Sequence, residues 1–251
     1  MAKDSFQFRQ FTVIQRSSAM KVGTDGVLLG AWAAAPTDVP SRILDIGTGT
    51  GLLALMMAQR FPQALVTAID IAPEAVAEAR QNASASPFAH RIQVEWGDVA
   101  DFAPRSSELS RSSELSGSSG LFDAIVCNPP YFIDSLASPD DQRTLARHTA
   151  SLTYAQLITA CWRLLTPDGR LSLIIPADCR SRLEAEARLR GFFLTRLCAV
   201  KTTPRKPPKR YLMEFLKRTA DEIDTTEAIL ETSPGERSPW YRRLTADFYI
   251  R

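Results

Sequence analysis

The sequence predicts an α/β domain built around a largely parallel sheet. Short apolar, strand-like runs alternate with longer helix-like stretches, a glycine-rich turn joins the first clear strand to the first clear helix, and the next strands end on acids. With 251 residues, 45% hydrophobic and 23% charged, the composition is that of a globular chain long enough to bury a full core.

The strand RILDIG, from Arg42 to Gly47, leads through glycines into the apolar helix LLALMMAQRF. ALVTAID, ending at Asp70, is the second strand, and the early proline and alanine-rich body of PEAVAEARQNASAS suit a helix. RIQVEWGD is a third strand ending at Asp98. The fourth, FDAIVC, runs into Asn128-Pro129-Pro130-Tyr131, where two prolines without an N–H to donate must stop the ladder. Beyond it, TYAQLITACWRLL is a helix, Asp168-Gly169 a turn and RLSLIIP a fully buried strand. ADCRSRLEAEARLRG is a helix capped by Gly191. The runs FFLTRLCAV and RYLMEFLKR, joined by the proline-stiffened KTTPRKPPK, predict a closing antiparallel hairpin. Arg105 to Ser116, the tandem hexamer RSSELS-RSSELS, is polar and without apolar periodicity; a flexible surface insertion with no chemistry is expected.

Composition excludes several classes. Cys127, Cys161, Cys179 and Cys198 lie far apart and the histidines are only His90 and His148, so neither a zinc site nor a disulfide framework is expected. The start lacks the apolar core of a signal peptide and no run approaches a membrane span, so a cytoplasmic protein is expected. Charge is uneven. From Arg196 to Arg218 eight basic residues face one acid, Glu214, although the chain's formal net charge is only +2. A basic window on an otherwise mildly acidic body suggests a polyanion footprint.

Asp45-Ile46-Gly47-Thr48-Gly49-Thr50-Gly51 stands where a strand hands over to a helix. Glycines there allow positive φ and close approach of a ligand to a helix N-terminus, while a carboxylate at the end of the next strand, Asp70, can accept hydrogen bonds from both ribose hydroxyls. These residues specify no more than an adenosine cofactor, since dinucleotide-binding domains for NAD and FAD use the same glycine-rich turn and strand-end acid. Asp98 adds a second strand-end acid, and Asn128-Pro129-Pro130-Tyr131 completes a set that resembles the class I amino-methyltransferases of nucleic acids and of protein glutamine. Met20 to Trp32 (MKVGTDGVLLGAW), the run from Lys201 to Arg210 and the ending LTADFY are similar to the bacterial tRNA(Val) adenine N6-methyltransferase family over nearly the whole chain, the serine-rich repeat excepted.

That resemblance implies a Rossmann-like fold: a seven-stranded, mostly parallel sheet whose last strand is antiparallel, with helices on both faces. It implies S-adenosylmethionine as cofactor, tRNA as partner and a monomer without metal. The cofactor set is Lys21, Thr24, Asp45, Gly47, Gly49, Gly51, Asp70, Ile71, Asp98, Val99 and Asn128, with Asp70 assigned the ribose and Asp98 the adenine amino group. Lys21, Thr24 and Asp25 match the family's N-terminal motif and are expected to close the cofactor pocket. Asn128, Pro129, Pro130 and Tyr131 are the catalytic set, and Lys201, Arg205, Lys206, Lys209 and Arg210 the RNA footprint. The organisation expected is one domain: residues 1–40 close the cofactor site, 41–190 form the core with the insertion at 105–120, 191–218 form the basic hairpin, and 219–251 a tail.

Three rivals remain at this stage. A protein glutamine methyltransferase uses the same tetrapeptide, but those enzymes carry a helical substrate domain for which too little chain precedes Asp45. A guanine N2-methyltransferase of ribosomal RNA is weakly disfavoured by Tyr131. A binding module that kept the fold and lost activity has no use for Asn128-Pro129-Pro130-Tyr131.

Overall fold

The computed structural model describes residues 4–16, 21–104, 120–129 and 152–250, so the RSSELS repeat, Pro130 and Tyr131 lie outside the described residues. The chain opens with an antiparallel hairpin, β1 (Ser5–Gln7) and β2 (Thr12–Ile14), followed by α1 (Thr24–Trp32). Two β-α-β crossovers come next: β3 (Arg42–Ile46), α2 (Leu52–Arg60), β4 (Leu65–Asp70), α3 (Pro73–Ser84) and β5 (Ile92–Trp96). Then follow β6 (Phe122–Cys127), α4 (Tyr154–Leu164), β7 (Leu165–Pro176), α5 (Arg180–Arg190), β8 (Phe193–Lys201) and β9 (Pro208–Leu216). The last elements are β10 (Asp224–Ile229), the small hairpin β11 (Glu231–Ser233) and β12 (Glu236–Arg237), and α6 (Pro239–Leu244).

The main sheet runs β10-β8-β9-β7-β6-β3-β4-β5, with β9 antiparallel to both neighbours and every other pair parallel. The expected seven strands are β3 to β9, and the expected antiparallel strand is β9. An eighth strand, β10, is added at the edge by the segment expected to be a tail. Of its residues only Ala228 is buried, so DTTEAI offers none of the alternation by which a half-buried strand is recognised. The Asp168-Gly169 turn is a second departure: both residues lie within β7. Phe122 and Ala124 of β6 pair with Leu165 and Arg170, so Thr166 to Gly169 stand opposite the single residue Asp123 and are absorbed as a bulge rather than ending the strand.

β3 is buried throughout and alternates its side chains between two cores. Ile43 packs on the side of α1, α2 and the N-terminal hairpin, and Leu44 on the side of α4 and α5. The first layer is close because α1 crosses α2 on glycine: a Cβ at Gly30 would lie 2.6 Å from Met56 Sδ. α4 starts from a capping box, Thr153 with Gln156, and α5 ends at Gly191 with φ of 102°.

Polar groups inside α3 attach the N-terminal hairpin. Asn82, 1% exposed, accepts from Ile14 N–H at 2.8 Å and donates to the carbonyls of Ile14 and Thr50, each at 2.8 Å. Glu78 accepts from Arg16 N–H. A buried amide is tolerated only when its bonds are made, and here those bonds bind the start of the chain to the glycine turn.

Candidate active site

The parallel strands β3, β4 and β6 bring their carboxyl ends together, where ligands of open α/β sheets bind. After β3 the chain turns through Gly47, Gly49 and Gly51, with φ of 67°, 54° and 82°, a region that side chains with a Cβ rarely adopt. The three glycines have different surroundings. A Cβ on Gly51 would lie 3.3 Å from that of Ala79, so this glycine lets α2 approach α3. Cβ atoms on Gly47 or Gly49 would meet nothing within 4 Å, so these two keep an open face for a ligand.

Asp45 shapes this turn from beneath. Its carboxylate, 0% exposed, accepts from the Thr48 hydroxyl at 2.6 Å and Ala54 N–H at 3.1 Å. Burial raises its pKa from 3.8 to about 7, against the opposing pull of those two hydrogen bonds. It was expected among the residues contacting the cofactor; its bonds instead fix the backbone that presents Gly47 and Gly49.

Asp70 ends β4 and braces the turn from the side, accepting from Gly49 N–H and Ala72 N–H, each at 2.9 Å. A carboxylate offers about four lone-pair positions, so acceptor capacity remains for ribose hydroxyls. Asp98 lies beyond the end of β5, its Oδ1 accepting from Ala100 N–H at 2.9 Å. Val99 is buried and Ile71 exposed on the same carboxyl edge. Arg163 of α4, which the sequence reading passed over, secures this loop by donating to the carbonyls of Val99, Ala100 and Phe102 at 3.1, 3.1 and 2.7 Å.

A cavity of about 490 Å³, within the range of small-molecule sites, joins Gly47 and Gly49 to Asn128 at the end of β6. Lys21, Thr24 and Asp25 line it from the N-terminal side. Lys209 and Arg210 line it from the basic hairpin. Pro129 is buried beside Asn128, and burial pushes the preceding Cys127 thiol well above its ordinary range, which keeps it a neutral core group.

The chain matches the model of the methyltransferase small domain over residues 27–202. It is 48% identical to a tRNA1(Val) (adenine(37)-N6)-methyltransferase of Porphyromonas gingivalis, over 99% of this chain and 96% of that protein. The chain belongs to the methyltransferase small domain family. A protein of the same name from Vibrio parahaemolyticus is 41% identical to this methyltransferase, over 98% of this chain and 95% of its own length. Among solved structures, a predicted O-methyltransferase of Agrobacterium tumefaciens superposes with a TM-score of 0.65 at 22% identity, covering 89% of this chain and 96% of that one, a likeness of fold. S-adenosylmethionine is the methyl donor this fold implies, and the open glycine turn with Asp70 beside it suits the adenosine half of that molecule.

The basic residues expected to contact RNA divide into two groups. Lys201 pairs with Glu227 at 2.8 Å and Arg210 with Asp25 at 2.8 Å. Arg205, Lys206 and Lys209 are exposed and form no ion pair among the described residues. Elsewhere in the basic window, Arg196 binds Glu214 at 3.2 Å while lying over the Trp32 ring, and Lys217 donates to the Leu165 carbonyl. Much of the window's charge is therefore structural. Sequence reasoning also missed Leu230 and Arg237, which the expected tail adds to the cavity wall.

Among the described residues no three His, Cys, Asp or Glu side chains gather as a metal site would require, and no helix is long and apolar enough to cross a membrane.

Proposed function

We propose that this methyltransferase methylates N6 of an adenosine in tRNA, the adenosine beside the anticodon of tRNA(Val), acting in the cytoplasm as a monomer. The observation that supports this reading is a single cavity whose lining includes Asn128, Gly47 and Gly49 of the glycine turn, and Lys209 and Arg210 of the basic hairpin. The names of the full-length relatives supply the base and the RNA, and favour adenine over a glutamine amide or a guanine.

When bound, S-adenosylmethionine supplies an electrophilic methyl group on a sulfonium. The chain's part is to orient the acceptor. An exocyclic adenine amine is a poor nucleophile because its lone pair is delocalised into the ring. The Asn128 side-chain oxygen and the Pro129 carbonyl accept its two N–H groups, which draws the nitrogen toward a pyramidal geometry and turns the lone pair out of the ring. Acceptors fixed in advance for the transition state act as preorganised electrostatics, and alignment alone can supply roughly 7–11 kcal/mol of a barrier. Pro129 is buried and holds the turn, and the methylated nitrogen is acidic enough to lose its proton to water. Pro130 is assigned to stiffening that turn and Tyr131 to stacking on the extruded base.

The direct test is incubation of the purified protein with labelled S-adenosylmethionine and total RNA from a strain lacking the enzyme, followed by digestion to nucleosides. Label in N6-methyladenosine from tRNA(Val) is the expected result. Label in another nucleoside, or in protein only, refutes the reading.

A further inference from the structure

The cavity wall carries more positive charge than its cofactor can use. Its lining includes Lys21, Lys209, Arg210 and Arg237 against a single carboxylate, Asp25. Asp25 lies 2.8 Å from Arg210, and Glu231, just outside the lining, lies 3.2 Å from Arg237, so both arginines have a carboxylate partner and Lys21 and Lys209 are the lining cations without an ion pair among the described residues. S-adenosylmethionine bears a sulfonium, an ammonium and one carboxylate, and is itself a net cation. One lysine suffices for its carboxylate, and further cations beside a cationic ligand are unfavourable. The excess therefore fits an anion that shares the cavity with the cofactor.

Lys209 and Arg237 are placed for that anion. Lys209 is exposed on β9, with no ion pair among the described residues. Arg237 comes from β12 and is held from two sides: its Nη1 contacts Glu231 Oε1 at 3.2 Å, and its guanidinium lies 4.7 Å above the Tyr241 ring. These contacts fix the planar group while its side chain stays 45% exposed, and a guanidinium has five N–H donors to share. Both residues lie outside the 27–202 segment matched by the family model, in the parts of the chain that go beyond the common core.

We propose that Lys209 and Arg237 form a phosphate site for the nucleotide whose base enters the cavity, so that the C-terminal segment anchors the backbone of the target residue. This rests on the reading of the chain as an RNA methyltransferase and assigns the phosphate recognition of that same site. A phosphate clamped at the cavity mouth holds the extruded nucleotide while Asn128 and Pro129 engage its amine.

The test uses K209Q, R237Q and the double variant of the full chain. Each single change is expected to raise the KM for tRNA about tenfold, the loss of one charged hydrogen bond. The double variant is expected to flatten the dependence of log affinity on log salt by about 1.4 to 1.8. S-adenosylmethionine affinity by calorimetry is expected to stay within about twofold, which also reports that the variants fold. Adenosine monophosphates are expected to compete with tRNA for the wild type better than adenosine does, and to lose that advantage in the double variant. Unchanged KM and salt slope overturn the proposal, as does a fall in cofactor affinity with RNA binding intact, which would give these cations to the cofactor. If the wild type methylates no RNA, the proposed function fails, yet nucleotide against nucleoside binding still decides the phosphate site.

Discussion

The Asp25 carboxylate on the first turn of α1 accepts a hydrogen bond from Arg210 Nε on β9 at 2.8 Å, joining residues 185 positions apart. Both side chains are about one-fifth exposed, so the pair is screened less than a surface ion pair. It connects the N-terminal segment expected to cover the cofactor with the hairpin expected to hold RNA. A double-mutant cycle on D25N and R210Q, followed by urea unfolding, is expected to give a coupling energy of about 1–2 kcal/mol. Coupling below about 0.3 kcal/mol would mean that the two segments are energetically independent.

Asp70→Ala is expected to weaken S-adenosylmethionine binding roughly 10- to 150-fold, since it removes a charged acceptor and the brace on Gly49 N–H together. Calorimetry checks this directly. An unchanged dissociation constant would take Asp70 out of the cofactor site.

Asn128→Ala acts on a different step. Its loss is expected to lower kcat by about 100- to 1,000-fold, as for a preorganised transition-state contact, while cofactor affinity changes little. Turnover within about threefold of wild type would refute the amine-acceptor mechanism.

Asp45 gives a pH signature. Burial holds its pKa at about 7 in the native state, against 3.8 for an ordinary aspartate. Between those values the native protein retains a proton that the unfolded chain has released. The stability this proton contributes is full below the unfolded pKa and is lost as pH rises through about 7. Asp45→Asn keeps an acceptor for Thr48 and Ala54 but does not titrate. Urea unfolding at about pH 5 and about pH 8 is therefore expected to show wild type losing stability relative to the variant at the higher pH. Parallel behaviour would mean that Asp45 does not titrate in this window.

The exposed cations of the basic loop are expected to act on RNA affinity alone. Changing Arg205 and Lys206 to Ala should weaken tRNA binding and reduce its salt slope by about 1.4 to 1.8. Lys201→Ala, which removes the partner of Glu227, is expected to change the slope by less. An equal effect from Lys201 would show that its ion pair opens to meet RNA.

How far the sequence reaches can be judged from particular residues. The glycines of the turn after β3 were legible because positive φ is a local requirement, and all three adopt it. Strands β3 to β9 were legible because a buried strand has a local apolar signature, and the paired prolines after Asn128 mark a strand end by chemistry alone. The edge strand β10 escaped because its polar sequence forms a ladder only when β8 is beside it.

What the sequence by itself determined is therefore the parallel α/β architecture, the positive-φ glycine turn after β3 with Asp70 beside it, and the proline stop after β6, each fixed by local stereochemistry or by periodicity. The tertiary structure alone decided which charges are used up in ion pairs, as with Lys201 and Arg210, and which remain at the cavity, as with Lys209. It also decided that Asn82 joins Ile14 to Thr50 and that Arg237 reaches the cavity from the far end of the chain. Charge in a sequence has no direction. Partners distant along the chain meet only when the sheet order is set, and that order depends on packing summed over the whole molecule.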